Sequence, residues 1–252
     1  MNSIQGAPNV PNKLNNASTI LKSLSFPSLK LNTTEKDDWA GIFFDSIITE
    51  YDARRLYWYI ANDNPDGFSK LKDILNRWLR DEIDHAYGFS LIYSAYTGTP
   101  LDEVALKVEI RQSDFNSLIP FMRDPFSLLI LLAYDEIITT HVYHRSIQKY
   151  DNFNSPQLSA WIRKTKRDEA KHFFLFVEKA KQLFSDRLHE APSILQELHQ
   201  LDFEKKQYTG TFVLDHNTLD YPINRKEIEN TIIPTILKKL NESPRLLGGA
   251  NK

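Results

Sequence analysis

Two copies of one short motif carry the residues best suited to chemistry in this chain. Each copy reads Asp-Glu-x-x-His, at Asp81–His85 and at Asp168–His172. The i, i+3 spacing places Glu and His on one face of a helix, where carboxylate and imidazole can hold one metal ion together. By chance, Glu-x-x-His is expected about 0.4 times in this composition, and the longer string about 0.03 times. The duplication therefore predicts metal binding.

Charged residues also interrupt the apolar stripe of each of four long helical segments. A buried, unpaired carboxylate costs several kcal/mol, and clustered carboxylates repel one another, so such a pattern persists only if cations neutralise it. Two divalent ions balance four glutamates and leave two neutral imidazoles as nitrogen ligands. The six predicted metal ligands are Glu50, Glu82, His85, Glu136, Glu169 and His172.

The glutamates are spaced so that they reach one level of a helical bundle. Glu50 and Glu82 are 32 residues apart, and Glu136 and Glu169 are 33 residues apart. In an antiparallel hairpin with a short loop, such separations put both members of a pair at nearly the same depth. We therefore expect the four carboxylates to meet.

The elements that must position these residues are helices, and the sequence predicts an all-α fold. Four helices of about 25 to 30 residues form two antiparallel hairpins joined by one crossover, which is a four-helix bundle. Weaker helical stretches follow over 193–207 and 225–240, with an extended piece at 208–214. The four long helices are expected at 35–62, 68–96, 124–150 and 158–184, and the crossover at 101–123 with a short helix over 102–111.

Composition divides the chain into three parts. Residues 1–34 contain no Asp or Glu and are rich in Asn, Ser and Pro, which is typical of a mobile arm, with a transit peptide as the alternative. Residues 35–186 form the predicted bundle. Residues 187–252 are expected to be a C-terminal helical extension packed on it.

Composition also excludes several classes of protein. Cysteine is absent, so disulfides, zinc fingers and thiolate-bound iron–sulfur clusters are excluded. With 31 basic and 33 acidic residues the net charge is -2, and no nucleic-acid partner is expected. The longest apolar stretch, 126–134, is far shorter than the ~18 residues of a membrane span. We expect a cytoplasmic protein, and the sequence leaves a homodimer open.

Residues 35–186 resemble the ferritin-like dimetal carboxylate superfamily. Within it, the chain is most similar to the soluble acyl-carrier-protein desaturases. The resemblance rests on the stretch Trp78–His85 followed by Tyr96-Thr-Gly98, and on Arg167–His172.

The resemblance implies a site that contains two iron ions, with manganese or zinc as substitutes. Glu50 and Glu136 would be terminal or bridging carboxylates, completing the sites of the two Glu-x-x-His pairs. Asp168 would accept a hydrogen bond from His85, and Asp81 from His172, across the helices. Thr139 and Thr140 match the position where desaturases and related hydroxylases carry a threonine beside the oxygen pocket. The alternative is a hydroxyl bonded to its own helix carbonyl.

The activity implied is that of a diiron oxidase or oxygenase. Such an enzyme uses O2 and an external electron donor, a ferredoxin or reductase, to desaturate or oxygenate a fatty acyl or similar hydrophobic substrate, free or carrier-bound. The basic run over 163–167 is a solvated face or a docking surface for an acidic carrier or ferredoxin. The residues expected to line the substrate pocket, which can equally be plain core, are Phe43, Phe89, Ile92, Leu132, Tyr143 and Phe176.

The sequence leaves three other functions open. One is a ferroxidase related to iron-storage ferritins. Another is an aldehyde-deformylating or tRNA-modifying diiron monooxygenase. The third is an interaction module that keeps the bundle and binds no metal.

Overall fold

Helices account for most of residues 39–204 and 223–243, which are the residues that this computed structural model describes. Within these ranges there is no β-strand. The arm predicted over 1–34 and the extended piece predicted over 208–214 lie outside the described residues. The helices are α1 (Trp39–Asp63), α2 (Pro65–Thr97), α3 (Leu101–Glu109), α4 (Ile119–Arg123), α5 (Pro125–Asp151), α6 (Pro156–Leu183), α7 (Ala191–Glu204) and α8, which joins Arg225–Glu227, a π-helical turn at Ile228–Ile232 and Ile233–Asn241.

Side-chain caps and proline set the starts of the long helices. Asn64 caps α2 by accepting a hydrogen bond of 2.9 Å from the Gly67 amide, and Pro65 occupies the first turn. The loop predicted over 62–67 is therefore wrong in extent, because Asn64 alone separates α1 from α2. Asp124 caps α5 in the same way, accepting a 3.0 Å hydrogen bond from the Ser127 amide.

The four long helices pack as two pairs, α1 with α2 and α5 with α6. The link between the members of each pair is short, one residue in the first pair and 152–155 in the second. Such short links require antiparallel neighbours. The described chain is thus a helical bundle of two hairpins. α3, α4 and the 3₁₀ turn Asn116–Leu118 connect the hairpins, and α8 packs on α5, α6 and α7.

The core of the bundle consists of two separate apolar clusters. Each of the four long helices contributes to both, and passes from one to the other beside its predicted metal ligands. The bundle therefore contains a polar layer between two apolar ones. The Trp39 cluster includes Trp39, Phe43, Phe89, Ile92, Tyr143 and Trp161, and the Phe126 cluster includes Leu56, Leu75, Phe126, Leu132, Ile138 and Phe176.

Among the helices of the described residues, one, α5, is long and apolar enough to cross a membrane. Its most apolar stretch has a mean hydropathy of 1.2, and 72% of that stretch is buried inside the bundle. Such burial is typical of the core helix of a globular protein, so length and composition are weak evidence for a membrane span here.

Candidate metal centre

The six predicted ligand side chains lie together in the polar layer. They form two groups of four, and within each group the potential ligand atoms lie within 4.8 Å of one another. Every member is at most 5% exposed. The members are Glu50, Glu82, His85 and Glu169 in group 1, and Glu82, Glu136, Glu169 and His172 in group 2.

Group 1 surrounds one nitrogen of His85. The Nδ1 atom lies 3.1 Å from Glu169 Oε1, 3.4 Å from Glu50 Oε2 and 3.6 Å from Glu82 Oε2. α1, α2 and α6 each supply at least one of these side chains. The i, i+3 spacing on α2 places Glu82 and His85 on one helix face, as the motif predicts.

Group 2 surrounds the corresponding nitrogen of His172. The Nδ1 atom lies 3.0 Å from Glu82 Oε1, 3.3 Å from Glu136 Oε2 and 3.3 Å from Glu169 Oε2. Glu82 and Glu169 therefore each direct one oxygen toward group 1 and the other toward group 2. Each of these two carboxylates could therefore provide a ligand atom to both groups.

The arrangement fits cations better than it fits a hydrogen-bonded cluster. Among the described residues, His85 Nδ1, Glu82 Oε1, Glu136 Oε2 and Glu169 Oε1 are buried and have no hydrogen-bond partner, although each faces another polar atom. Two atoms that bind one ion at about 2.1 Å, at angles of roughly 90–109°, are about 3.0–3.4 Å apart. Most distances in both groups fall in or near that range, so these groups could hold metal ions.

Burial and mutual repulsion govern the charges of the metal-free cluster. Burial, together with the charges of Glu169 and Glu82, raises the pKa of Glu50 well above its usual value. Burial opposes protonation of His85, but the charge of Glu169 and the contact with Asp168 outweigh it and raise the pKa of that imidazole. Glu50 and His85 thus retain protons that bound cations would displace.

Both predicted outer carboxylates reach across to the helix of the other motif. Asp81 Oδ2 lies 3.1 Å from His172 Nε2, within hydrogen-bond distance. Asp168 Oδ2 lies 3.6 Å from His85 Nε2, slightly beyond it, and also forms a 2.8 Å ion pair with Lys164. The structure therefore places each aspartate beside the histidine predicted for it, and the Asp81–His172 distance is the shorter of the two.

The two predicted catalytic threonines are half-buried on α5. The Thr140 hydroxyl donates a 2.8 Å hydrogen bond to the backbone oxygen of Glu136, which is the alternative considered for it. A catalytic role for Thr139 or Thr140 stays a prediction.

The predicted pocket residues are all buried, but they divide between the two apolar clusters. Phe43, Phe89, Ile92 and Tyr143 belong to the Trp39 cluster, whereas Leu132 and Phe176 belong to the Phe126 cluster. They consequently flank the centre on both sides. Their role as substrate contacts stays a prediction.

Tyr143 has a contact that the sequence did not indicate. Its hydroxyl donates a 2.6 Å hydrogen bond to Glu50 Oε1. Burial and the charge of Glu50 raise the pKa of the phenol well above its usual value, so the hydroxyl keeps its proton. The sequence feature that could have indicated this contact is the position of Tyr143 seven residues after Glu136, on the same side of α5.

Asp52 is a second buried acid near Glu50, and it pairs with two arginines instead of joining a ligand group. Its carboxylate is fully buried and accepts hydrogen bonds of 2.6 Å from Arg111 and 3.1 Å from Arg55. The contact with Arg111 attaches the crossover to α1, whereas Arg55 is itself on α1. Asp52 belongs to neither ligand group, which agrees with the choice of Glu50 as the predicted ligand.

Comparison with known proteins adds no family. No protein-family model matches the chain, and neither a curated protein nor a solved structure is significantly similar to it. The functional assignment therefore depends on the geometry of the two ligand groups.

Proposed function

We propose that this chain is a non-haem diiron oxidase or oxygenase of the ferritin-like superfamily. It would use O2 and external electrons to desaturate or oxygenate a hydrophobic organic substrate. The observation that carries the proposal is the sharing of Glu82 and Glu169 between groups 1 and 2. Ligands that serve both groups hold two ions close together, which two-metal catalysis requires.

The ligand set suits iron. Two imidazoles and four carboxylates, with Glu-x-x-His on each of two helices, are the donors of dimetal carboxylate bundles. Manganese and zinc accept the same donors, so the metal must be established by experiment. A reduced pair of iron ions supplies the electrons that activate O2, which no side chain of this protein can supply.

The protein's own residues hold the charges and exclude water. The four glutamates match the charge of two divalent ions, and the apolar clusters on both sides keep bulk water away from the polar layer. A dry environment strengthens the electrostatic interactions within it. Apolar walls such as those formed by Phe89, Ile92 and Phe176 suit a fatty acyl or similar chain.

The electrons would come from a partner, because the sequence has no cysteine for an iron–sulfur cluster and no flavin or haem signature. Arg163, Arg167 and Lys171 are exposed on α6, the helix that carries Glu169 and His172. This basic face is the proposed docking surface for an acidic ferredoxin or a carrier-bound substrate.

Anaerobic reconstitution with ferrous iron tests the proposal. We expect two irons per chain in the wild type and a clear loss in His172→Ala. The matched control is His144→Ala, which removes an exposed histidine of α5. O2 added with a reductant and candidate acyl or aromatic substrates is then expected to be consumed in proportion to organic product.

Two results would contradict this function. A wild-type chain that binds one iron or none lacks the dinuclear centre. Oxygen consumption that yields only ferric mineral, with assembly into a large shell, would identify an iron-storage protein instead.

A further inference from the structure

The two ligand groups differ in how each holds the glutamate that it does not share. Glu50 Oε1 accepts the 2.6 Å hydrogen bond from Tyr143, while Glu50 Oε2 faces His85 Nδ1 at 3.4 Å. In group 2, Glu136 Oε2 faces His172 Nδ1 at 3.3 Å and has no hydrogen-bond partner within the described part of the chain. One glutamate is therefore anchored from outside its group, and the phenol is the anchor.

Each hairpin has a tyrosine at the same spacing after its unshared glutamate, but only Tyr143 forms a hydrogen bond with a ligand of the two groups. Tyr143 lies seven residues after Glu136, and Tyr57 lies seven residues after Glu50. Tyr143 is buried and its hydroxyl crosses from α5 to α1. Tyr57 is half-buried and donates its hydrogen bond to Asn76 on α2 instead. The two groups thus differ because Tyr143 binds the unshared glutamate of group 1, whereas Tyr57 does not bind the unshared glutamate of group 2.

The Tyr143 ring is itself held in place. It stacks on Phe89 with ring centroids 6.1 Å apart and an interplanar angle of 10°, inside the Trp39 cluster. A donor that cannot move fixes the orientation of its acceptor, and here the acceptor is one oxygen of Glu50.

We propose that Tyr143 is a positioning residue that fixes Glu50 as a one-oxygen ligand of group 1. Because Oε1 is occupied by the phenol, Oε2 alone is presented toward His85. A metal ion entering group 1 then needs less rearrangement than one entering group 2, so the two ions bind in sequence, with group 1 filled first. The inference rests on the proposed function, since it requires that both groups bind metal.

Cobalt titration of the metal-free chain, followed by visible spectroscopy and calorimetry, tests this inference. Tyr143→Phe removes the hydroxyl and keeps the ring that stacks on Phe89. Outer hydrogen bonds of this kind contribute about 10- to 100-fold to metal affinity. We expect the first of the two binding steps to weaken by about that factor, with a changed d–d spectrum, while the other step stays unchanged. Tyr57→Phe is the matched control and is expected to change neither step.

The outcomes separate this inference from the proposed function. If Tyr143→Phe binds two cobalt ions with wild-type affinity and spectrum, the positioning role is overturned and the metal centre stands. If the wild type binds no cobalt, both are overturned. Should circular dichroism show that Tyr143→Phe does not fold, Glu50→Gln replaces it, because it keeps an acceptor for the phenol. Because group 1 is inferred to fill first, Glu50→Gln is expected to lose the first, tighter step and keep the second, and loss of the second, weaker step alone overturns the inference.

Discussion

His172 Nε2 lies 3.1 Å from Asp81 Oδ2, and this contact fixes which ring nitrogen faces the candidate metal centre. A carboxylate can only accept a hydrogen bond, so Nε2 carries the ring proton. Nδ1 faces the carboxylates of group 2, which raise the pKa of the imidazole, and its lone pair becomes free for a metal ion when the ion displaces the Nδ1 proton. Asp81 thereby selects the tautomer that can bind a metal ion.

Replacing Asp81 by Asn is expected to weaken metal binding in group 2. An amide can donate to Nε2, which favours the tautomer that has its proton on Nδ1. We expect the affinity for one of two metal ions to fall about 10- to 100-fold, measured by cobalt titration. The control is Asp73→Asn, an exposed position on the same helix. Equal affinities in both variants and the wild type would contradict the role of Asp81.

Shared and unshared ligands are expected to differ in the number of ions that their loss removes. Glu169→Ala takes a ligand from both groups, so nearly all bound metal is expected to disappear. Glu136→Ala affects group 2 alone, so about one ion per chain is expected to remain. Elemental analysis after reconstitution and gel filtration measures both. A single remaining ion in both variants would show that Glu169 does not bridge.

The Asp124–Arg187 pair is expected to make stability depend on pH below neutrality. Although partial burial opposes ionisation, hydrogen bonds from Arg187 and Ser127 lower the pKa of Asp124. A lowered native pKa stabilises the fold above the unfolded value of about 3.9, and this stabilisation is lost as pH falls through the native value. Asp124→Asn keeps the helix cap and removes the charge. We expect a loss of about 1 kcal/mol at pH 7, since the pair is only partly buried.

Urea unfolding at several pH values measures this effect. The difference between wild type and Asp124→Asn is expected to shrink below pH ~4. Asp114→Asn, an exposed position whose side chain also accepts a backbone hydrogen bond, serves as the control. A difference that stays constant between pH 7 and pH 3 would show that the charge of Asp124 does not stabilise the fold.

Gly88 is expected to be required by the packing of Trp161. A Cβ atom at position 88 would lie 2.1 Å from Cζ2 of the Trp161 ring, which in turn packs edge-on against His85 at 6.2 Å. Overpacking costs about 1–3 kcal/mol, and the better helix propensity of alanine offsets about 1 kcal/mol of this. These terms leave a net cost of about 0–2 kcal/mol. Because real Cβ atoms essentially never approach another atom as closely as 2.1 Å, we expect the upper end, a loss of about 2 kcal/mol in the free energy of unfolding of Gly88→Ala. Adding Trp161→Phe should recover part of the loss, and a stable Gly88→Ala single variant would contradict this explanation.

The sequence predicted the helices and the ligand clustering because both depend on local periodicity. The duplicated Asp-Glu-x-x-His motif and the matched spacing of Glu50 with Glu82 are readable along single helices. The gap between the first two predicted helices was too long, because Asn64 was interpreted as part of a loop although it caps the second helix. A single asparagine between two helices satisfies the exposed amides as well as a longer loop does.

Apart from the ligand cluster and the Asp81–His172 and Asp168–His85 pairs, contacts between separate elements could not be predicted in the same way. The bond from Tyr143 to Glu50 depends on how α5 sits against α1, which no periodicity along one helix specifies. Asp52 lies off the apolar stripe of α1 and is nevertheless buried, because Arg111 of the irregular crossover covers it. Similarly, periodicity showed that Leu132 and Phe89 face inward without showing that they lie on opposite sides of the polar layer.

The sharing of Glu169 between both ligand groups also determines when metal can enter during biosynthesis. Glu169 is on α6, the last of the four long helices to leave the ribosome. A nascent chain that ends before α6 offers Glu50, Glu82 and His85 but no bridge from the second hairpin. If the two groups bind metal as proposed, neither has its full set of ligands before the hairpins have assembled, so complete metal loading would follow assembly of the bundle.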